Sequence, residues 1–366
     1  MKTHKRPDFI MHWSAIEGPA GPPGGAEDFG FASELSAAAG INHLRAAHLR
    51  VPPGLRGYPP LAMQDDEVFS FVLEGTPDLW VDGHLYRLRE GDGIALAAGT
   101  GIAHAILNNT ARDVRIFVMT EAFRRNSRIF HARDAAANET VAKMDMLWAD
   151  PPRRKLGPND GRPGSREGAR RGRPNFVVHW RDILKKDEGG YPNSPERHGI
   201  DAPFGRQAGF SRIGVHLEIL KPGRRTSWPH AERDEDEFVY VVSGRVDAWN
   251  DGRITPMGEG DFIGWRAKTG ITHVVINNGE EDAVLLVGGE ASRSRARIWY
   301  PLHPHRDRET GEAFWADHPR RALGPHDGLP DRLRALLPKA ALRTAVAANT
   351  AAFRLDRRRA AAISKR

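Results

Sequence analysis

The strongest constraint on the fold is an internal repeat that runs through most of the chain at an offset of 167 to 169 residues. The matching segments are 7–13 and 174–180, 79–83 and 248–252, 90–92 and 259–261, 101–109 and 270–278, and 148–161 and 315–328. Three tryptophan pairs stay in register across the repeat. Self-similarity over so long a period is typical of a duplicated domain, so the sequence indicates a tandem duplication of one folding unit.

The repeat divides the 366 residues into two domains of ordinary size. We assign residues 1–161 to the first domain and residues 174–330 to the second. The Gly-, Arg- and Pro-rich stretch 162–173 between them is predicted to be a linker. The remaining residues, 331–366, form a basic tail whose Ala- and Leu-rich part, 333–353, favours a helix.

Each half is predicted to be built from short β-strands. Segments 237–242, 273–276 and 283–287 are rich in β-branched residues, and Asp251-Gly252 is a typical hairpin turn. Glycine (38 residues) and proline (26 residues) are abundant, which suits a turn-rich architecture. The sequence therefore predicts an all-β fold with two barrels in tandem.

The chain contains no cysteine, which excludes disulfides, thiolate metal sites and a cysteine nucleophile. Histidines and carboxylates remain as the strong metal ligands. No apolar run approaches the roughly 20 residues of a membrane span, and the N-terminus lacks a signal-like apolar core. We therefore expect a soluble, cytoplasmic protein.

The net charge of +7 belongs to the tail. Ten basic and two acidic residues give residues 331–366 a charge of +8, so the rest of the chain carries −1. This composition favours a solubilising extension first. The second alternative is a helix that packs on a barrel or on the second chain of a homodimer. We expect neither a membrane partner nor a nucleic-acid partner, because no recognition module precedes the tail.

Chemistry-bearing residues cluster in the second half. His230 is followed by Glu232, Glu237 and Gly244, and a second motif reads Gly270-Ile-Thr-His273-Val-Val-Ile-Asn277. These segments resemble the two conserved motifs of the cupin superfamily, His-x-His…Glu…Gly and Gly-x-x-His-x-x-x-Asn. The resemblance covers nearly all of both halves and implies two jelly-roll (double-stranded β-helix) barrels, as in two-barrel bacterial cupins whose activities are mostly unassigned.

The resemblance implies one divalent metal ion, Fe, Mn, Ni or Zn, in the second barrel. Its ligands would be His230, Glu237 and His273. Strand neighbours two apart point the same way, so His230 and Glu232 share a face and can converge on a barrel interior. Glu232 replaces the second histidine of the family motif, and three roles stay open for it: a fourth ligand, an acceptor that orients a ligand, or a general base.

The first half lacks most of this set. At an offset of 169, Leu61, Met63 and Val68 stand opposite His230, Glu232 and Glu237, and His104 alone is retained, opposite His273. Glu67 is one residue away from the required position, and a bulge would be needed to turn it inward. We therefore expect the first barrel to bind no metal and to be a filled core or an apolar pocket in a supporting role.

Several residues near the second motif are candidates for a substrate pocket. Arg225 could bind a carboxylate in a bidentate manner, and Trp228, Tyr240 and Trp249 could stack on a planar substrate. The alternatives are a solvated turn for the arginine and core packing for the aromatic residues. For Asn277 we expect a role in anchoring the strand rather than in chemistry.

These observations predict a metal-dependent enzyme acting on a small organic acid, aromatic or sugar-like compound. Dioxygenase-type oxidative cleavage is the first expectation, since a His/carboxylate site with open positions serves it well, and isomerisation or decarboxylation follows. The alternative is a non-catalytic barrel that binds or senses a small molecule and keeps a vestigial or structural metal site.

Overall fold

The computed structural model describes residues 6–21, 27–122, 127–192, 194–291 and 296–336. The part of the chain that it describes is mainly β-structure with short helices. The strands of the first half are β1 Ile10–His12, β2 Gly18–Pro19, β3 Phe31–Ser33, β4 Leu44–Val51, β5 Leu61–Met63, β6 Val68–Glu74, β7 Asp78–Val81, β8 His84–Arg87, β9 Asp92–Leu96, β10 His104–Leu107, β11 Val114–Glu121 and β12 Ile129–His131. Those of the second half are β13 Val177–His179, β14 Ile200–Ala202, β15 Ile213–Leu220, β16 Ala231–Glu232, β17 Glu237–Ser243, β18 Arg245–Asn250, β19 Arg253–Gly258, β20 Asp261–Trp265, β21 His273–Ile276, β22 Ala283–Glu290 and β23 Ile298–Trp299.

The helices are short and lie between strands or at the end of the described chain. They are α1 Leu35–Ala39, α2 Ala135–Lys143, α3 Phe204–Gln207, α4 Pro304–Thr310 and α5 Asp331–Leu336, with 3-10 turns at Trp13–Ala15, Trp180–Asp182 and Gly311–Ala313. Helix α5 opens the basic tail, and the rest of the predicted tail helix lies outside the described residues. No helix among the described residues is long and apolar enough to cross a membrane.

Each half folds into a barrel of two facing sheets. In the first half, β3-β4-β11-β6-β9 forms the larger sheet and β12-β5-β10-β7-β8 the smaller one. In the second half, β14-β15-β22-β17-β20 forms the larger sheet, and β16-β23 and β19-β18-β21 make the opposite wall. The predicted hairpin at Asp251-Gly252 joins β18 to β19, and both residues have positive φ values. The predicted all-β, two-barrel architecture is confirmed.

The first strand of each half pairs with the other half's barrel. Strand β1 lies antiparallel to β20, and β13 lies antiparallel to β9. The histidine that ends each exchanged strand packs on a glycine: a Cβ on Gly260 would lie 2.4 Å from Nε2 of His12, and one on Gly91 would lie 2.8 Å from Nε2 of His179. The repeated His-Trp and Glu-Gly-Asp segments therefore form the contacts of this exchange.

The larger sheets of the two barrels pack against each other. Side chains alternate along each strand, so Phe238 and Tyr240 of β17 enter a core shared by both halves, whereas Val239 and Val241 face the interior of their own barrel. The ring of Phe117 from β11 lies 5.5 Å from that of Phe238, and both are fully buried.

Two buried carboxylates fasten each barrel to backbone N–H groups of the other. Glu67 accepts hydrogen bonds from the amides of Ser211, Arg212 and Ile213 at 2.7–3.1 Å. Its repeat counterpart, Asp236, accepts from the amides of Asn42 and His43 at 2.7 and 2.8 Å. The bulge considered for Glu67 is therefore not needed to explain the residue: its carboxylate serves the contact between the barrels.

Candidate metal centre

Two histidines of the second barrel face each other across a strand pair. The amide of His273 donates to the carbonyl of His230 at 2.8 Å, and the reverse hydrogen bond measures 3.2 Å. Residues directly opposite in an antiparallel pair place their side chains on the same face. Their imidazole rings are accordingly 4.7 Å apart, between centroids.

Glu237, the first residue of β17, completes the cluster from the opposite sheet. Its Oε2 lies 2.9 Å from Nε2 of His273 and 3.5 Å from Nε2 of His230. Ligand-capable atoms of the three residues all lie within 4.8 Å of one another. Two imidazole nitrogens and a carboxylate are a donor set that first-row divalent metals accept, so the residues present fit such an ion.

The outer nitrogens of both imidazoles are held by the backbone. Nδ1 of His230 lies 2.8 Å from the carbonyl oxygen of Trp228, and Nδ1 of His273 lies 3.1 Å from that of Ile271. A carbonyl oxygen only accepts, so each Nδ1 carries the hydrogen and each Nε2 keeps its lone pair when the ring is neutral. This arrangement fixes the tautomer that a metal ligand requires.

Charge in the cluster is concentrated on one ion pair. Burial disfavours the charged form of His230, but the hydrogen bond and negative charge of Glu237 outweigh it and raise the pKa of His230 to about 9. Burial would raise the pKa of Glu237, yet the two histidines hold it well below its ordinary value. For His273 burial prevails and lowers the pKa. Without a metal ion, His230 is therefore the protonated histidine of the pair near neutral pH, and Glu237 is ionised.

Glu232 lies beside this cluster on β16 and is not in the group of mutually close ligand atoms. Burial, together with the negative charge of Glu237, raises the pKa of Glu232 to about 9. The carboxyl group is therefore proton-bearing near neutral pH in the metal-free site. The three roles left open by the sequence remain predictions, and this geometry favours a role next to the ligands.

The cluster is flanked by two aromatic residues and is partly exposed to solvent. The indole ring of Trp265 stacks on His273 at 3.9 Å and donates its Nε1–H to Asn250. Tyr300 lies on the other side, with its ring 5.8 Å from that of His230. The side chain of Glu237 is 27% exposed and that of His230 12%, so the cluster is not sealed from solvent.

The first barrel repeats the backbone geometry without the ligands. His104 stands opposite Leu61 in the strand pair, as His273 stands opposite His230. Met63 and Val68 occupy the positions of Glu232 and Glu237. Burial lowers the pKa of His104 to about 4, so its imidazole is neutral.

Arg225 and Trp228, two candidates for the substrate pocket, are engaged with other parts of the chain. Arg225 is 1% exposed; it forms a bidentate pair with Glu196 and donates to the carbonyl of Gly328. Arg56 makes the same arrangement in the first half. Trp228 stacks on Tyr191 and His303 at 4.1 and 4.2 Å and donates to Glu196. We infer that both side chains are structural.

Tyr240 and Trp249 lie outside the barrel interior as well. Tyr240 belongs to the core between the barrels, on the opposite face of β17 from Glu237. Trp249 is fully buried beneath the C-terminal segment and donates to the carbonyl of His326. The side-chain amide of Asn277 bridges the carbonyls of Leu220 and Glu281 at 2.7 and 2.8 Å, which is the anchoring role expected for it.

A second polar cluster of this barrel was missed by the sequence analysis. Ligand-capable atoms of Asp201, His216 and Glu218 also lie within 4.8 Å of one another. Nε2 of His216 is 3.6 Å from Glu218 and 3.9 Å from Asp201. The sequence pattern that could have revealed this cluster is the His-x-Glu alternation of residues 216 and 218, which puts both side chains on the inner face of β15.

Comparison with known proteins agrees with this picture. A family model described as the cupin domain matches residues 47–120 and 216–289, once in each half. Among solved structures, the chain is similar to single-substitution variants of oxalate decarboxylase from Bacillus subtilis. One is 17% identical, covers 81% of this chain and 80% of that chain, and has a TM-score of 0.51. Another is 15% identical, with coverages of 81% and 80% and a TM-score of 0.50. No curated protein matches the chain in sequence.

Proposed function

Because the chain carries two tandem cupin domains, we propose that its second barrel is the active site of an enzyme that binds one divalent metal ion and decarboxylates a small organic acid. The observation that carries the proposal is the convergence of His230, Glu237 and His273 on one point, with both imidazoles held in the tautomer that frees Nε2. Three ligands leave coordination positions for oxygen atoms of a substrate.

A metal ion held by these residues would act as a Lewis acid toward negative charge that develops on the substrate. The chain's own contribution is a proton donor, Glu232. In the reaction the bond between the leaving carboxylate and its carbon breaks, carbon dioxide departs, and the electron pair stays on the carbon. The Glu232 carboxyl gives its proton to that carbon and regains one from water.

The surroundings of Glu232 suit this role. Burial and the nearby Glu237 carboxylate raise its pKa to about 9, whereas a bound divalent cation acts in the opposite direction. A bound cation therefore lowers the pKa of Glu232 from its raised metal-free value, toward the range where a carboxyl can give up its proton near neutral pH.

The structurally similar proteins named above are decarboxylases of oxalate, a two-carbon diacid, and this favours decarboxylation over oxygenation for the present chain. Oxygenation remains the second candidate because two histidines and one carboxylate also serve Fe(II) oxygenases. The two reactions differ in their need for dioxygen. Decarboxylation of a diacid in this way consumes only a proton, and oxidative cleavage consumes oxygen.

The test is carbon dioxide release by the full chain, loaded in turn with Fe, Mn, Ni or Zn and given ¹³C-labelled oxalate, malonate or pyruvate with and without dioxygen. We expect release that needs one of these metals and no net oxygen consumption. Glu232→Gln should keep the metal and lose about 10²- to 10⁴-fold in rate, the usual contribution of a general acid. His104→Ala, in the first barrel, is the matched control and should change neither quantity.

Metal binding without turnover of any acid would favour the sensing alternative. Activity that requires stoichiometric oxygen would move the assignment to oxygenation. Full activity of Glu232→Gln would remove this residue from the mechanism.

A further inference from the structure

The first barrel contains a cavity of about 600 Å³, partly open to solvent, at the place where the second barrel holds its polar cluster. Its walls include Leu49, Leu61, Met63, Val68 and Val118. Small-molecule sites in proteins occupy about 300–1,000 Å³ and are lined mainly by apolar side chains. The cavity of the first barrel has the size and the mainly apolar lining of such a site.

The cavity wall differs from the second barrel in a coordinated way. Five positions that are polar in the second barrel are apolar here, and all five of these apolar residues line the cavity. The pairs are His230 and Leu61, Glu232 and Met63, Glu237 and Val68, Glu218 and Leu49, and Asp201 and Ala32. Members of both polar clusters of the second barrel are thus replaced on this wall, and His104 alone keeps the histidine of its counterpart, His273. Loss of metal binding alone would require only one or two of these differences.

Charged side chains on the wall are already paired within the protein. Arg45 donates to Glu34, with 3.0 Å between Nε and Oε2. Glu27 accepts from Arg56, and the carboxylate of Asp134 caps helix α2 at the amide of Ala137. A charged ligand would have to break one of these pairs or remain uncompensated in an apolar space.

The polar side chains that remain on the wall are neutral. Burial lowers the pKa of His104 to about 4 and also lowers the pKa of His131. The hydroxyl of Tyr58 is buried, and its ring meets the ring of His104 edge-on at 5.7 Å. These groups offer hydrogen bonds to a hydroxyl or carbonyl group without offering charge.

We propose that the first barrel is a binding site for an uncharged, largely apolar small molecule. One side of the site is formed by helix α2, whose Ala136, Ala137, Thr140 and Val141 line the cavity. Small side chains at these positions leave room for the ligand, so enlarging one of them should block the site from the helix.

The test uses two fluorescent probes and the full chain. N-phenyl-1-naphthylamine is uncharged and brightens in apolar surroundings, and 8-anilinonaphthalene-1-sulfonate adds one sulfonate to the same ring system. We expect saturable binding of the uncharged probe with one site per chain, and at least tenfold weaker binding of the sulfonate. Removal of metal with a chelator should not alter either result, because the metal site belongs to the other barrel.

Two substitutions on one helix locate the bound probe. Ala137→Phe should fill the cavity and weaken binding of the uncharged probe at least tenfold. Ala142→Phe, an exposed position of α2 that does not line the cavity, is the matched control and should bind like the wild type. Thr140→Trp, at an exposed lining position, gives a second block if Ala137→Phe folds poorly.

The proposal is overturned if the uncharged probe shows no saturable binding, if the sulfonate binds equally well, or if the blocking and control variants behave alike. None of these results bears on metal content or carbon dioxide release, which test the second barrel.

Discussion

The ion pair between His230 and Glu237 makes a prediction that a single substitution can test. Burial alone lowers the pKa of His230, and the Glu237 carboxylate, 3.5 Å from Nε2, reverses this effect and brings the value from 6.5 to about 9. In metal-free Glu237→Gln that charge is gone, while the burial and the smaller raising effects of Glu232 and the Trp228 carbonyl remain. We therefore expect the pKa of His230 to fall from about 9 toward its ordinary value of 6.5, a change of about two units that is worth about 3 kcal/mol.

The assay is an NMR pH titration of the imidazole nitrogens in metal-free protein. At pH 7.5 the His230 ring should be almost fully charged in the wild type and mostly neutral in Glu237→Gln. His104, with a pKa of about 4, is the internal control and should stay neutral in both proteins. A wild-type His230 that titrates near 6.5, or a pKa that does not respond to the substitution, would refute the electrostatic argument.

The same ion pair links metal binding to pH. A metal ligand must be a neutral imidazole, so binding at pH 7.5 should release about one proton from His230. Calorimetry in buffers of different ionisation enthalpy measures this number. Below pH 9 the affinity should fall about tenfold for each unit of pH. Proton release near zero would contradict a charged His230.

Four further outcomes are expected. Metal analysis should give about one ion per chain, lost in His230→Ala and retained in His104→Ala; a second ion that disappears in His216→Ala would assign metal to the other polar cluster. Arg225→Lys and Arg56→Lys should each destabilise the protein by about 2–4 kcal/mol in denaturant unfolding, because each breaks a buried bidentate pair, and neither should alter metal content. Glu67→Ala should cost about 1–3 kcal/mol, since it leaves the amides of Ser211, Arg212 and the buried Ile213 without their acceptor, and an unchanged unfolding midpoint would contradict this contact. Metal-free protein should lose thermal stability as the pH rises from 6.5 to 9, and metal-loaded protein should lose less. The reason is that folding raises the pKa of both His230 and Glu232, so over this pH range the unfolded chain loses those protons before the folded protein does.

The repeat made the barrels and the ligand positions predictable. An offset of 169 placed Leu61 opposite His230, and the strand register pairs His104 with Leu61 as it pairs His273 with His230. Within one strand, the alternation of side chains also predicts correctly which face of the sheet a residue lies on. It separates Glu237, which faces the barrel interior, from Tyr240, which faces the other barrel.

The contacts between the two halves could not be predicted from the sequence. Nothing in a strand's own residues tells which barrel it joins, so the exchange of β1 and β13 could not be anticipated. The same holds for Glu67, whose partners lie about 145 residues away. Arg225 was misleading for a related reason: its partner Glu196 approaches only when the preceding loop folds back over the barrel.

The exchanged strands also set the order in which the protein can be completed during synthesis. Strand β1 is made first, but its partner β20 follows some 250 residues later. At about 5–20 residues per second, the first strand waits on the order of ten seconds or more before it can pair. Strand β13 follows β9 by only about 80 residues, so the sheet edge of the first barrel at β9 stays open for a shorter time, until residues 177–179 have been made. We expect chains arrested between the two halves to be prone to aggregation, and neither half expressed alone to match the stability it has in the whole protein.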